Sequence, residues 1–173
     1  LLMVLISDIL DLSKIESNTM EFNFCNISLH QVLNEIGSAQ RMNMKEGVEL
    51  LLDLPGQEIT IATDPTRLSQ VINNLVNNAI KFTSEGNICI GYRPAASGRV
   101  KIFVEDTGTG MAKEVIEHIF DRFYKGDAFK QGTGLGLAIC RTIAERFKGK
   151  IEVASTPGKG TRFTIILPLK VEE

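Results

Sequence analysis

Several features that would point to other classes of protein are missing from this sequence of 173 residues. It has only three cysteines, Cys25, Cys89 and Cys140, which lie far apart and form no Cys-x-x-Cys pair. Neither a disulfide framework nor a zinc site of paired cysteines is supported, and we expect reduced thiols in the core. No apolar run reaches the roughly 18 to 20 residues of a membrane-spanning helix, and no signal peptide is visible.

The sequence also lacks a surplus of basic residues. Nineteen Lys and Arg against twenty-one Asp and Glu give a formal net charge of -2 at pH 7. A protein that neutralises many phosphates along a nucleic acid is usually basic, so we expect no nucleic-acid partner. Hydrophobic residues make up 43% and charged residues 23% of the chain, a balance that favours a folded domain over disorder.

The spacing of apolar residues predicts a short N-terminal helix followed by a domain of mixed strands and helices. Leu2, Leu5, Ile9 and Leu12 recur at intervals of three and four, as in a helix that packs on a partner helix. Further helices are predicted at 28–44, 65–82, 113–120 and 135–147, and strands at 20–27, 48–54, 58–63, 87–92, 99–106, 151–155 and 161–169. Because strands and helices do not alternate regularly, we expect an α/β fold, a two-layer sandwich of a mixed, largely antiparallel sheet packed on three helices.

The predicted helix 65–82 contains four asparagines, although asparagine is a poor helix former. Asn74, Asn78 and Lys81 lie at positions i, i+4 and i+7, so they share one strip beside the apolar face. Carboxamide oxygens and an ammonium group suit a hydrated Mg²⁺ ion and the phosphates that it bridges, because Mg²⁺ prefers hard oxygen ligands. The alternative is that these residues are solvated polar positions without a ligand.

An acidic residue, Asp106, ends the predicted strand 99–106 on the same face as the apolar residues before it. A carboxylate in an apolar row costs free energy unless it serves a donor, and the exocyclic amine of a purine would be such a donor. Gly108 and Gly110 follow at once and would let a ring approach the backbone. The alternative is that Asp106 only caps the turn.

A glycine-rich stretch opens the predicted helix 135–147. It consists of Gly132, Thr133, Gly134, Leu135 and Gly136. Backbone N–H groups at a helix start can cradle phosphates, although such glycines also occur for packing alone. No strand is predicted before the stretch and no Gly-Lys-Ser/Thr follows, so it is neither a dinucleotide fingerprint nor a Walker loop. The segment 121–133 lacks periodicity, and we expect it to be mobile until phosphates bind.

These patterns occur in one order, and together they resemble the N, G1 and G2 boxes of sensor histidine kinases. Segment 119–124, Ile-Phe-Asp-Arg-Phe-Tyr, resembles the F box of that family, and segment 158–163 resembles its closing hairpin. The family belongs to the gyrase–chaperone–histidine kinase–mismatch-repair ATPases, and the resemblance implies their Bergerat-type ATP-binding fold. Residues 1–19 resemble the end of the second dimerisation helix, which leaves 20–173 as the ATP-binding catalytic domain.

The resemblance implies a role for each matching residue. Asn78 is expected to bind Mg²⁺ with Asn74 beside it, and Lys81 is expected to reach the phosphates, which makes Asn78 and Lys81 the catalytic candidates. Asp106 is expected to accept a hydrogen bond from the adenine amine. The other ATP-binding residues that the resemblance implies are Gly108, Gly110, Lys125, Gly132, Thr133, Gly134, Leu135, Gly136 and Thr161.

The resemblance further implies that the chain binds Mg-ATP and transfers the γ-phosphoryl group to a histidine, for relay to an aspartate of a response-regulator receiver domain. The acceptor histidine of the family precedes an acidic residue, whereas His30 precedes Gln31 and His118 precedes Ile119. We therefore expect this chain to be part of a longer protein, with the acceptor on an upstream dimerisation helix. By itself, the chain is expected to lack autophosphorylation.

The expected partners are that upstream helix, in a homodimer of the full protein, and the receiver domain. A cytoplasmic location is expected, although sensor kinases are often tethered to a membrane through an upstream segment. Two alternatives remain. One is an ATPase of the same superfamily, whose members typically carry a Glu in the asparagine-rich helix, whereas 67–82 here contains no acid. The other is a nucleotide-sensing module without kinase activity.

Overall fold

A computed structural model describes residues 2–126 and 132–171 of the chain. The helices are α1 (Leu2–Glu16), α2 (Leu29–Arg41), α3 (Pro65–Phe82), α4 (Lys113–His118) and α5 (Gly136–Arg146). The strands are β1 (Cys25–Ser28), β2 (Val48–Asp53), β3 (Thr60–Thr63), β4 (Gly86–Ala95), β5 (Arg99–Asp106), β6 (Lys150–Thr156) and β7 (Gly160–Pro168). Part of the segment expected to be mobile, 127–131, lies outside the described residues.

Five strands form one sheet in the order β2-β4-β5-β7-β6. The pair β2 and β4 is parallel, and the other neighbouring strands are antiparallel. Helices α2, α3 and α5 pack on this sheet, and the core between the two layers includes Leu33, Leu75 and Ile139, all fully buried. The predicted α/β sandwich with a largely antiparallel sheet on three helices is therefore confirmed.

The predicted strand 20–27 is wrong at its start, since pairing begins only at Cys25. Strand β1 pairs with β3, which has four residues, and the pairing of the two strands starts at Cys25 with Thr63. Instead, the rings of Phe22 and Phe24 lie edge-on to Phe147 after α5, with centroids 5.6 and 5.9 Å away. The alternating aromatic pattern thus reports packing rather than strand pairing.

The three cysteines lie in different environments. Cys140 is buried in α5, Cys89 is half-buried in β4 and Cys25 is exposed in β1. The expectation of core thiols is right for Cys140 and wrong for Cys25, because β1 belongs to a separate two-stranded sheet and its first residues face solvent.

Helix α3 begins where local chemistry dictates. The Asp64 side chain caps it by accepting the backbone N–H groups of Thr66 and Arg67 at 2.9 and 3.1 Å, and Pro65 occupies the first turn. The other carboxylate oxygen of Asp64 accepts the N–H of Asn23 at 2.8 Å. The start and rotation of α3 are therefore fixed, and its apolar face is buried at Leu68, Val71, Ile72, Leu75, Val76 and Ala79.

Helix α1 lies against the rest of the domain through polar contacts and through Ile15 and Leu12, which pack on the core. Asp11 accepts from the guanidinium of Arg67 at 3.4 Å and from the amide of Gln70 at 2.7 Å, both on α3. Several large apolar residues of α1 remain exposed, among them Leu2, Met3, Val4, Ile6, Ile9 and Leu10. The boundary between residues 19 and 20 stays a prediction. In the described part of the chain, no helix is long and apolar enough to cross a membrane.

Candidate nucleotide-binding site

The asparagines of α3 divide into two pairs with different neighbours. Asn73 and Asn77 accept hydrogen bonds from the side-chain amide of Gln40 on α2, at 2.8 and 3.3 Å. Asn74 and Asn78 lie one position further along and line a cavity together with Lys81. Gln40 is buried, so its bonds to the first pair serve helix packing, although Asn77 also lines the cavity beside the predicted strip of Asn74, Asn78 and Lys81.

Asn74 has a partner that orients its amide group. Its nitrogen donates to the thiol sulfur of Cys140 on α5 at 3.7 Å. Burial raises the pKa of Cys140 to about 12, so the sulfur is a neutral thiol and not an anion. Because the nitrogen of Asn74 points to α5, its carbonyl oxygen is left for the cavity.

Asp106 lies at the end of β5 in a narrow, mostly apolar pocket. The pocket is lined by Asn78, Phe82, Asp106, Thr109, Gly110, Met111, Thr161 and Phe163. Burial raises the pKa of the Asp106 carboxyl, while the backbone N–H groups of Gly108 and Thr161 act in the opposite direction. The N–H of Gly108 donates to one carboxylate oxygen at 2.9 Å, so Asp106 caps the turn and also faces the pocket.

Gly108 and Gly110 permit close contact between backbone segments. A Cβ atom at Gly108 would lie 2.3 Å from the carbonyl oxygen of Phe82, and one at Gly110 would lie 2.0 Å from that of Thr156. Gly110 also has a positive φ of 67°. The turn is therefore pressed between the end of α3 and the β6–β7 hairpin, and only Gly110 of the two glycines lines the pocket.

A larger cavity of about 360 Å³ adjoins this pocket, and Asn78 lines both. The larger cavity is lined by Val4, Asp8, Asn74, Asn77, Asn78, Lys81, Ile119, Tyr124, Lys125, Gly132, Thr133, Gly134, Gly136 and Leu137. Burial lowers the pKa of the Lys81 ammonium, and the charge of Lys125 lowers it further. Two cations this close favour an anionic ligand, since an anion would offset their mutual repulsion.

The glycine-rich turn before α5 is held from two sides. Gly134 has a φ of 73°, its carbonyl oxygen accepts the N–H of Phe123 at 2.8 Å, and a Cβ atom there would lie 2.8 Å from the Cα of Phe123. The hydroxyl of Thr133 accepts the N–H of Leu135 at 3.2 Å and donates to the carboxylate of Asp8 at 2.6 Å. The turn therefore depends on the F-box-like segment and on α1.

The structure brings nearly all of the predicted site residues to these two adjoining cavities. The exceptions are Gly108, whose surroundings are described above, and Leu135, whose side chain is fully buried in the core. Sequence reasoning missed Phe82, Met111 and Phe163 at one end and Asp8 and Tyr124 at the other. Phe82 follows Asn78 by four residues on α3 and could have been found from helix spacing. Tyr124 and Phe163 end the segments that resemble the F box and the closing hairpin, whereas no local signal marks Met111 and Asp8.

A mixed sheet on three helices, with a carboxylate pocket joined to a basic, glycine-rich cavity, defines a nucleotide-binding domain. The chain belongs to the family of histidine kinase-, DNA gyrase B- and HSP90-like ATPases, whose model matches residues 63–171. The family resemblance that the sequence motifs indicated is confirmed.

Its similar proteins include sensor histidine kinases of several bacteria. RcsC of Escherichia coli K12 is 39% identical over 176 residues, 98% of this chain and 18% of RcsC. WalK of Bacillus subtilis 168 is 33% identical over 178 residues, 98% of this chain and 29% of WalK. The chain thus spans less than a third of either relative.

Two solved structures show the same fold. Full-length ShkA in complex with AMPPNP matches with a TM-score of 0.91 and 28% identity, over 99% of this chain and 36% of ShkA. A nucleotide-free catalytic domain of the histidine kinase ThkA matches with a TM-score of 0.76 and 28% identity, over 86% of this chain and 99% of that domain. The sandwich described above is therefore the fold of histidine kinase catalytic domains.

Proposed function

We propose that this chain is the ATP-binding catalytic part of a sensor histidine kinase, which transfers the γ-phosphoryl group of Mg-ATP to a histidine. The observation that carries the proposal is that Asn78 lines both the Asp106 pocket and the basic, glycine-rich cavity. Adenine would lie against Asp106 in the narrow pocket, and the phosphates would lie between α3 and the glycine-rich turn. The AMPPNP complex of ShkA supports an adenine nucleotide as the ligand.

The donor set suits magnesium. Among residues 2–126 and 132–171, no group of three or more His, Cys, Asp or Glu side chains could hold a metal by itself. Mg²⁺ is often held by few protein ligands together with phosphates and water. The carboxamide oxygen of Asn78 would hold the ion, with that of Asn74 beside it. Bound there, the ion would offset the negative charge of the phosphates.

The chain's own residues would act by position and charge. Lys81 and Lys125 would contact the phosphates, and the N–H groups at the start of α5 would donate hydrogen bonds to the phosphate oxygens from the other side. Such contacts supply most of the catalysis in phosphoryl transfer. Helix α3 from Pro65 to Phe82 carries no acidic residue that could activate water, which favours phosphoryl transfer over ATP hydrolysis.

The histidines of this chain are engaged elsewhere. His30 Nδ1 hydrogen-bonds the hydroxyl of Tyr92, and His118 Nδ1 hydrogen-bonds the carboxylate of Asp121 at 2.8 Å. Neither histidine lines the two cavities. The proposed acceptor is therefore a histidine on the dimerisation helix of a full-length homodimer, with a response-regulator receiver domain as the next partner and the cytoplasm as the location.

Radiolabelled ATP tests the proposal. The chain alone should bind ATP without becoming labelled, and the full-length protein should acquire acid-labile, alkali-stable label. Asn78→Ala in the full-length protein should reduce labelling more than it reduces metal-free ADP binding, because its proposed partner is the ion. Asn73→Ala is the matched control, since Asn73 contacts Gln40 and not the cavity.

Three results would contradict this function. Acid-labile label on His30 or His118 in the chain alone would place the acceptor inside it. Steady release of phosphate from the full-length protein, without labelling, would indicate an ATPase. Nucleotide binding with neither labelling nor hydrolysis would indicate a sensing module.

A further inference from the structure

A cluster of two hydroxyls and backbone groups lies behind the Asp106 pocket. Asp106, Thr161 and Ser155 are paired directly across the neighbouring strands β5, β7 and β6. Thr161 lines the pocket and is 9% exposed, whereas Ser155 is half-buried and does not line it. Ser155 therefore contacts the pocket only indirectly, through the Thr161 hydroxyl and through the backbone N–H of Met111, and both of these residues line it.

Three groups converge on the hydroxyl oxygen of Ser155. The N–H of Met111 donates to it at 2.8 Å. The carbonyl oxygen of Gly160 lies 2.9 Å away and the hydroxyl oxygen of Thr161 lies 2.8 Å away. A serine hydroxyl has one hydrogen and two lone pairs, so these three contacts use its whole hydrogen-bonding capacity.

Only one assignment of the protons satisfies all three contacts. The carbonyl of Gly160 can only accept, so the single hydrogen of Ser155 must go to it. The Met111 N–H takes one lone pair of Ser155, and the remaining lone pair must accept the hydrogen of Thr161. The hydroxyl of Thr161 therefore turns its hydrogen towards Ser155 and its lone pairs towards the pocket.

We propose that Ser155 is a positioning residue that fixes Thr161 as a hydrogen-bond acceptor beside Asp106, and so selects a purine with a 6-amino group. This inference rests on the proposed function. Two acceptors side by side match the two hydrogens of the amine. The 6-oxo group of hypoxanthine or guanine meets lone pairs at the same place, and a buried unpaired acceptor is costly.

Binding of ADP and inosine diphosphate measures this selection, because the bases differ only in the 6-substituent and the N1 proton that accompanies it. Ser155→Ala frees the Thr161 hydroxyl to rotate and donate. ADP affinity should fall about three- to tenfold, the effect of one hydrogen bond, while inosine diphosphate affinity stays or rises. Ser155→Thr keeps the hydroxyl and should restore the ADP preference.

Two controls separate positioning from folding. Thr161→Val removes the acceptor itself, so its ADP preference should resemble that of Ser155→Ala, and the double variant should lose no more than either single variant. Thr164→Val changes a hydroxyl on the opposite face of β7 and should leave the preference unchanged. Thermal unfolding of each variant identifies any loss of folded protein.

The outcomes are distinguishable. Failure of the unaltered chain to bind ADP would contradict the proposed function. If it binds ADP, an equal loss for both nucleotides in Ser155→Ala would show general loosening of the pocket and overturn the role of Ser155. An ADP preference in Ser155→Thr as low as in Ser155→Ala would overturn it as well.

Discussion

At the scale of single residues, the candidate site consists of groups whose environment is costly without a ligand. Asp106 is an acid in an apolar pocket, and Lys81 is a partly buried cation next to Lys125. Burial shifts the pKa of each towards its neutral form. Perturbed pKa values of this kind are common at ligand-binding sites, and the burial of these charges makes the folded site less stable than a neutral one would be.

Asp106→Asn should therefore have opposite effects on binding and on stability. ADP affinity should fall more than tenfold, because a charge-assisted hydrogen bond in a buried site contributes about 1.5–3 kcal/mol. The free energy of unfolding without nucleotide should rise at neutral pH, because the variant has no carboxylate to desolvate. Calorimetric titration and urea unfolding measure the two effects.

The stability gain expected for Asp106→Asn should depend on pH. Since the folded-state pKa of Asp106 lies above the unfolded value, the folded protein holds its proton to higher pH. The penalty is absent below the ordinary carboxyl range and grows as the pH rises through it, so the gain in Asp106→Asn should disappear in acid. Glu105→Gln, on the opposite face of β5, should leave ADP affinity nearly unchanged, although it removes the ion pair with Arg162 at 3.0 Å. Equal ADP affinity for Asp106→Asn and the unaltered chain would remove Asp106 from the site.

At the scale of elements, the sequence allowed the bounds of α3 to be predicted, because local residues determine them. It did not allow features that depend on residues distant in the chain to be predicted. Asp64 caps α3 and Pro65 occupies its first turn, so neighbouring residues are enough to predict where the helix starts. The predicted span 65–82 is confirmed. Helix spacing also selects Asn74 and Asn78 for the cavity, but it misses Asn77, which lines the cavity as well. The start of β1 depends on the length of β3, and the buried position of Leu135 depends on the core, so neither could be found from nearby residues.

The glycine-rich turn permits a test at this scale. Gly134→Ala places a Cβ atom 2.8 Å from the Phe123 backbone at a φ of 73°, so the turn must separate from the F-box-like segment. Gly158→Ala has a similar φ of 77° in an open hairpin turn with nothing within 4 Å. The control should lose about 1–2 kcal/mol of stability from the φ alone.

Gly134→Ala should lose more stability than the control and should also weaken ADP binding, which Gly158→Ala should not. Urea unfolding and calorimetric titration are the measurements. Equal losses of stability in the two variants, with unchanged ADP binding in both, would mean that the contact with Phe123 is unimportant for the site.

At the scale of the whole molecule, α1 lies across one wall of the proposed phosphate cavity. Three acidic residues of α1 hold it there. Asp11 accepts a hydrogen bond from Gln70 of α3, Asp8 accepts one from Thr133, and Glu16 forms an ion pair with Arg122. Asp8 lines the same cavity as Lys81 and Lys125. In this arrangement a carboxylate of the helix lines the cavity in which the phosphates would bind, so we expect docking of α1 and binding of nucleotide to oppose each other electrostatically.

Asp8→Asn should therefore raise ADP affinity about two- to fivefold, the effect of removing one partly screened like charge. The gain should shrink as salt is added, since salt screens the repulsion. Glu16→Gln is the matched control, because it removes the same charge from the same helix at Arg122, outside the cavity. Calorimetric titration of ADP into both variants at low and high salt measures the difference. If Asp8→Asn left ADP affinity unchanged or lowered it, the Asp8 carboxylate would not oppose the phosphates, and α1 would have to be regarded as part of the binding site.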